Sequence, residues 1–158
     1  MKLLKFYIVI FFSHALSAQD FTNYLEADGL LDNSVNCVSV DADDHVWFGP
    51  NSGVSFFDGI TWESYTTDDG LVDNVVKAIY TSSDGSVWVG TDFGASKFDG
   101  TNWNIYNSSN GLNSNQIKAI DKSLIADHVW IGTATGVSYY DGEWGSIGSP
   151  DLHWSGVA

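Results

Sequence analysis

Few side chains in this sequence stand in patterns that do chemistry, and most of those recur at a fixed interval. Asp92-Phe93 breaks the interval: the matching positions hold Asn51-Ser52 and Ala134-Thr135. The pair offers a carboxylate and a stacking ring in one loop. Asn33, Asn74 and Asn115 recur at a spacing of 41 residues. An Asn so placed either fixes a turn by bonding the backbone or presents its amide to a ligand. Of the 7 Trp, Trp154 alone falls outside the repeat register. Asp41, Asp43 and Asp44, and the pair Asp68-Asp69, concentrate carboxylates as a Ca²⁺ loop does, but the full loop pattern is missing and solvated turns account for them. His45 and His128 share one repeat position with Ser86 and have no Glu or Cys at ligand spacing, so no metal is expected. No nucleophile, base and orienting group converge, so no catalytic residue, cofactor or enzymatic activity is assigned. The ligand-binding candidates are therefore Asp92, Phe93, Asn33, Asn74, Asn115 and Trp154.

The elements that must position these residues come in three copies. Gly29-Leu30, Gly70-Leu71 and Gly111-Leu112 open each copy. Val46-Trp47-Phe48-Gly49 returns as Val87-Trp88-Val89-Gly90 and Val129-Trp130-Ile131-Gly132. Asp58-Gly59, Asp99-Gly100 and Asp141-Gly142 follow, and Trp62, Trp103 and Trp144 close the copies. Each unit reads as four short strands. The first spans 35–40, 75–80 or 116–120, the second is the Val-Trp-x-Gly run, the third spans 54–57, 95–98 or 137–140, and the fourth spans 60–65, 101–106 or 143–147. Asp-Gly is expected to form two-residue hairpin turns with positive φ at both positions. Four strands in a unit of about 40 residues with one Trp signature describe a β-propeller blade, so the fold is all-β, with about three blades of an incomplete propeller. The blades cover about 33–66, 74–107 and 115–147. A β-solenoid is the runner-up. Recurring Trp argue for packing between blades rather than for ligand platforms. Cys37, at the position of Ala78 and Ala119, reads as a small apolar residue on a crowded inner strand.

Residues 1–18 read as a secretory signal: Lys2 and Lys5, a short apolar run from Phe6 to Phe12, and a plausible cleavage point after Ala18. The run is too short to span a membrane. The product, 19–158, is expected to be exported, to the periplasm or outside a bacterial cell, with no membrane insertion. Residues 21–24 match the fourth strand of a blade, and 152–158 match the start of another. The expectation is that the chain is a truncated or N-terminal fragment, its ring closed by downstream blades or by a second chain. The protein has 158 residues, 20 acidic side chains, 6 Lys and no Arg, with a net charge of −14. Such a charge excludes nucleic acid as a partner. A single Cys excludes a disulfide framework.

Gly70-Leu71-Val72-Asp73-Asn74, then Asp84-Gly85-Ser86-Val87-Trp88-Val89-Gly90-Thr91, then Gly94 to Gly100, resemble the two-component regulator propeller repeat. All three copies carry the pattern, with departures: Pro50 replaces the Thr of Thr91 and Thr133, and the third copy lacks the turn at 84–85. The resemblance implies the periplasmic input part of hybrid sensor kinases that detect nutrients, often oligosaccharides. It implies a small-molecule or oligosaccharide ligand; the repeat-breaking Asp92 and Phe93 would offer such a sugar a carboxylate and a stacking ring. The alternative is a secreted or surface propeller with a structural or adhesive role.

Overall fold

A computed structural model of the chain describes residues 22–123 and 128–146. The expected signal at 1–18, the start of a further blade at 152–158 and Trp154 lie outside the described residues. The described chain is all-β apart from one 3-10 turn, Glu26–Asp28. The first blade is β1 (Val35–Val40), β2 (Val46–Pro50), β3 (Val54–Phe57) and β4 (Trp62–Tyr65). The second is β5 (Ala78–Thr81), β6 (Val87–Gly90), β7 (Ala95–Phe98) and β8 (Trp103–Tyr106). The third is β9 (Ile117–Lys122), β10 (Val129–Thr133), β11 (Gly136–Tyr140) and β12 (Trp144–Ser146). Each is a separate four-stranded antiparallel sheet whose strands pair in chain order. Of residues 21–24, expected as a fourth strand, 21 lies outside the described residues and 22–24 carry no strand pairing. Among the described residues no third strand pairs with them, although Tyr24 rests on Phe57 and Trp62 with ring centroids 5.1 and 5.6 Å apart.

Strand alternation gives every blade two apolar faces, and neighbouring blades bury them against each other. Trp47 and Val54 of the first blade meet Val76, Ile79, Val87 and Val89 of the second, with Phe98 and Trp103 at the margin. One step on, Trp88 and Ala95 of the second blade meet Ile117, Val129 and Ile131 of the third, with Tyr140 and Trp144 at the margin. The same backbone bonds recur across both junctions: Val76 N–H donates to Pro50 O at 3.2 Å, and Ile117 N–H to Thr91 O at 2.8 Å. The indole nitrogens of Trp103 and Trp144 are both buried without a hydrogen-bond partner. Their recurrence ties them to blade packing, as the sequence reading of the repeated Trp expects.

Two glycine signatures follow from this packing. Gly29 has φ of +126°, and a Cβ there would lie 2.5 Å from Trp62 Cγ. Gly70 stands against Trp103 and Gly111 against Trp144 in the same way. The opening glycine and the closing Trp of each unit are therefore one contact. The glycine ending Val-Trp-x-Gly lets the next blade approach: a Cβ on Gly49 would lie 2.5 Å from Val76 Cγ1.

The Asp-Gly turns differ from expectation. Phe57 pairs with Trp62 and Phe98 with Trp103, so these loops hold four residues, 58–61 and 99–102. Only the glycines take positive φ there. The Asp instead folds the loop with its side chain. Asp58 Oδ1 accepts from Ile60 N–H at 2.7 Å and Thr61 N–H at 2.6 Å, and Asp99 Oδ1 accepts from Thr101 and Asn102 N–H. These are Asx turns, in which the carboxylate replaces a second positive-φ residue. The bonds hold the Asp58 and Asp99 carboxyls below the usual carboxylate range.

Among the described residues the three sheets do not close into a ring. Val38 and Val40 on β1 are more than half exposed, on the side away from the second blade. Among the described residues no helix is long and apolar enough to cross a membrane.

Candidate functional site

The loops entering each first strand and those joining second to third strands lie on one face of the blades. A serine that the sequence reading passed over holds them together. Ser55, Ser96 and Ser138 are fully buried and sit at one repeat position. Their hydroxyl oxygens accept from Leu31 N–H at 3.0 Å, Val72 N–H at 2.9 Å and Asn113 N–H at 3.0 Å. Each anchors the loop entering its own blade to the middle of that blade's third strand. The signal was present in the threefold register, but a lone Ser among strand residues has no distinctive chemistry.

Asn33, Asn74 and Asn115 take the turn-fixing role. Their Oδ1 atoms accept from the N–H of Glu26 at 3.0 Å, Thr67 at 2.8 Å and Ser108 at 2.7 Å, always seven residues back. The bond clamps the compact turn before each blade. Asn33 and Asn74 each serve their own blade, and only Asn115 borders the depression that contains Asp92 and Phe93.

That depression lies between the second and third blades, has a volume of about 550 Å³ and opens widely to solvent. Asp92 and Phe93 form one wall, and Asn113 to Gln116 with Ala134 and Thr135 form the other. The β6–β7 loop is rigid at its base. Thr91 Oγ1 donates to Gly94 O at 3.0 Å and accepts from Phe93 N–H at 3.0 Å. Phe93 is thereby presented with 64% of its surface exposed. Asp92 Oδ1 lies 3.6 Å from Lys118 Nζ across the blade junction, with Lys118 exposed and Asp92 half-buried. Lys118 is the bulged residue of β9, skipped between the Ala119–Gly132 and Ile117–Thr133 pairs. A bulge turns a side chain out of the ladder and re-aims it, here toward the neighbouring loop. The far wall is knitted by Asn113, whose Oδ1 accepts from Thr133 Oγ1 at 2.8 Å and Ser138 Oγ at 3.1 Å. The result is a depression lined by a carboxylate and an exposed ring, with the Lys118 ammonium, outside the lining, meeting that carboxylate. It suits reversible binding of a hydroxyl-rich molecule and lacks a nucleophile with its base.

The opposite face carries a cluster the sequence reading kept apart. One ligand atom each from Asp41, Asp43 and His45 lie within 4.8 Å of one another. Asp41 Oδ1 accepts from Asp43 and His45 N–H, while its Oδ2 faces His45 Nδ1 at 3.2 Å and accepts from Trp47 Nε1 at 3.3 Å. Burial raises the Asp41 pKa, but these bonds outweigh it and leave the carboxyl below its ordinary value. Both oxygens are committed to the β1–β2 turn. Cys37 is half-buried, and desolvation pushes its thiol up to about 11.

Residues 29–52 and 70–93 each match the family described as two component regulator propeller. No curated protein matches the chain. Among solved structures, the extracellular domain of a protein assigned as a hybrid two component system of B. thetaiotaomicron is 25% identical, with a TM-score of 0.68. The match covers 80% of this chain and 18% of that one. The extracellular domain of a protein assigned as a one component system of the same organism is 17% identical, with a TM-score of 0.62, over 75% of this chain and 19% of that one. The chain thus spans about a fifth of the length of the structures it resembles, and with them it shares propeller blades.

Proposed function

We propose that this chain supplies propeller blades to an exported, non-catalytic sensor module, and that the depression between the second and third blades recognises a small hydroxylated ligand of the oligosaccharide class. The observation that carries this reading is the meeting of Asp92, Phe93 and Lys118 at one junction, where the repeat is broken and the loops are otherwise rigid. A ring with exposed faces stacks on sugar C–H surfaces, and a carboxylate pairs with vicinal hydroxyls. The likeness to extracellular domains of two component and one component systems supports export and a sensing role. The exposed face of β1, with Val38 and Val40, supports further blades, or a second chain, packing against the first blade.

Calorimetric titration with a panel of neutral oligosaccharides tests the reading. At least one is expected to bind saturably, and Asp92→Asn with Phe93→Ala is expected to weaken it tenfold or more, about 1.4 kcal/mol. Equal binding by the double variant, or no saturable binding across the panel, would contradict it.

A further inference from the structure

The face opposite the depression holds a second cleft between the same two blades, built around a repeat-breaking lysine. Position 97 corresponds to Phe56 in the first blade and Tyr139 in the third. In the first blade Phe56 pairs across the sheet with Trp47, ring centroids 4.6 Å apart, and fills the junction. In the second blade Lys97 pairs with Trp88 in the same register. Its Nζ lies 5.4 Å from the Trp88 ring centroid and 5.3 Å from that of Tyr140 on the third blade. A thin chain stands where a ring would be, beside a cleft of about 440 Å³.

The charges in the cleft are ordered. The Lys97 ammonium lies over the two rings, and among the described residues no carboxylate comes within ion-pair distance of it. Asp84 and Asp141, both exposed, stand on the two turns that border the cleft; Asp84 feels the Lys97 charge, and Asp141 Oδ2 lies 3.7 Å from His128 Nε2. Ser86, buried beside Asp84, donates its hydroxyl to Asp84 Oδ1 at 2.7 Å and so fixes that carboxylate. Rings hold a cation in place but leave its strongest demand, a hydrogen-bonded anion, unmet. A simple carboxylate entering the cleft would pass two like charges, and a simple amine would meet Lys97. A molecule bearing both groups satisfies both.

We propose that this cleft binds a small zwitterion of the α-amino-acid type, its carboxylate on Lys97 and its ammonium between Asp84 and Asp141. This site is separate from the oligosaccharide depression and does not depend on it.

The test is calorimetric titration of the full chain with single free α-amino acids, alongside acetate and ethylamine as half-ligands. At least one amino acid is expected to bind saturably, with both half-ligands at least tenfold weaker. Lys97→Phe installs the residue the first blade already carries, and it is expected to abolish binding while leaving the thermal midpoint unchanged or raised. Should that variant fail to fold, Lys97→Met keeps the stem without the charge and is expected to lose binding likewise. Asp84→Asn with Asp141→Asn is expected to weaken the amino acid while leaving acetate no weaker. Absence of saturable binding by any amino acid, undiminished binding by the folded Lys97 variant, or acetate binding as tightly as the amino acid would overturn the proposal.

Discussion

At the scale of single residues, two repeated polar side chains do related work with different consequences. Ser96 is buried, and its oxygen is a partner for the Val72 N–H. Ser96→Ala leaves that donor unpaired beneath the loop and is expected to cost about 1–3 kcal/mol. Asn74 makes an exposed bond to Thr67 N–H, and water replaces it in Asn74→Ala, for an expected loss of about 0.5–1 kcal/mol. Denaturant unfolding of both variants checks the order; a larger loss for Asn74 would refute the assignment of Ser96 as the anchor. The Asn repeat was legible because three Asn at one spacing are uncommon, whereas Ser is ordinary in a strand and its burial is a product of tertiary packing. Cys37 gives a pH readout. Desolvation raises its pKa from 9.0 to about 11, so the thiolate needed for alkylation is scarce at neutral pH. Alkylation of the folded chain is expected to accelerate mainly as pH approaches 11, and a rate already rising near the ordinary thiol value would contradict its burial.

At the scale of elements, identical sequence signatures meet different surroundings. Trp88 and Trp130 occupy one repeat position, but Trp88 is 1% exposed between two blades while Trp130 is only half-buried, on the far face of the third. Trp88→Ala is expected to cost about 3–5 kcal/mol, and Trp130→Ala clearly less. Thermal or denaturant melts decide it, and equal losses would show that the blade junction is not the main source of stability. Strand order and spacing were readable from alternation, but the first strand expected at 75–80 runs Ala78–Thr81, and the fourth strands expected from 60 and 101 start at Trp62 and Trp103. The Asp-Gly loops were read with the wrong geometry. The dipeptide suits a two-residue turn, but the Asx bonds of Asp58 and Asp99 select a four-residue loop that places Ile60 or Thr101 in solvent. Local propensity named the turn and side-chain hydrogen bonding chose its form.

At the scale of the whole molecule, the period of about 41 residues made the architecture legible, because each unit buries its faces only against its neighbours. The depression between the second and third blades was legible only in part. Asp92 and Phe93 stood out by breaking the repeat, but Lys118 did not, since its role depends on a bulge that re-aims it across a junction. Lys97 broke the repeat as plainly as Asp92, and only the packing of Trp88 against Tyr140 gives that break a cleft. Recognition is proposed to occur on the loop face at the junction of the second and third blades. Hydrogen–deuterium exchange of the full chain, with and without the best oligosaccharide found by titration, tests it most directly. Slowed exchange is expected, confined to 91–94 and 113–116. Protection confined to the opposite turns around 82–86 and 141–142, or none at saturating ligand, would contradict it.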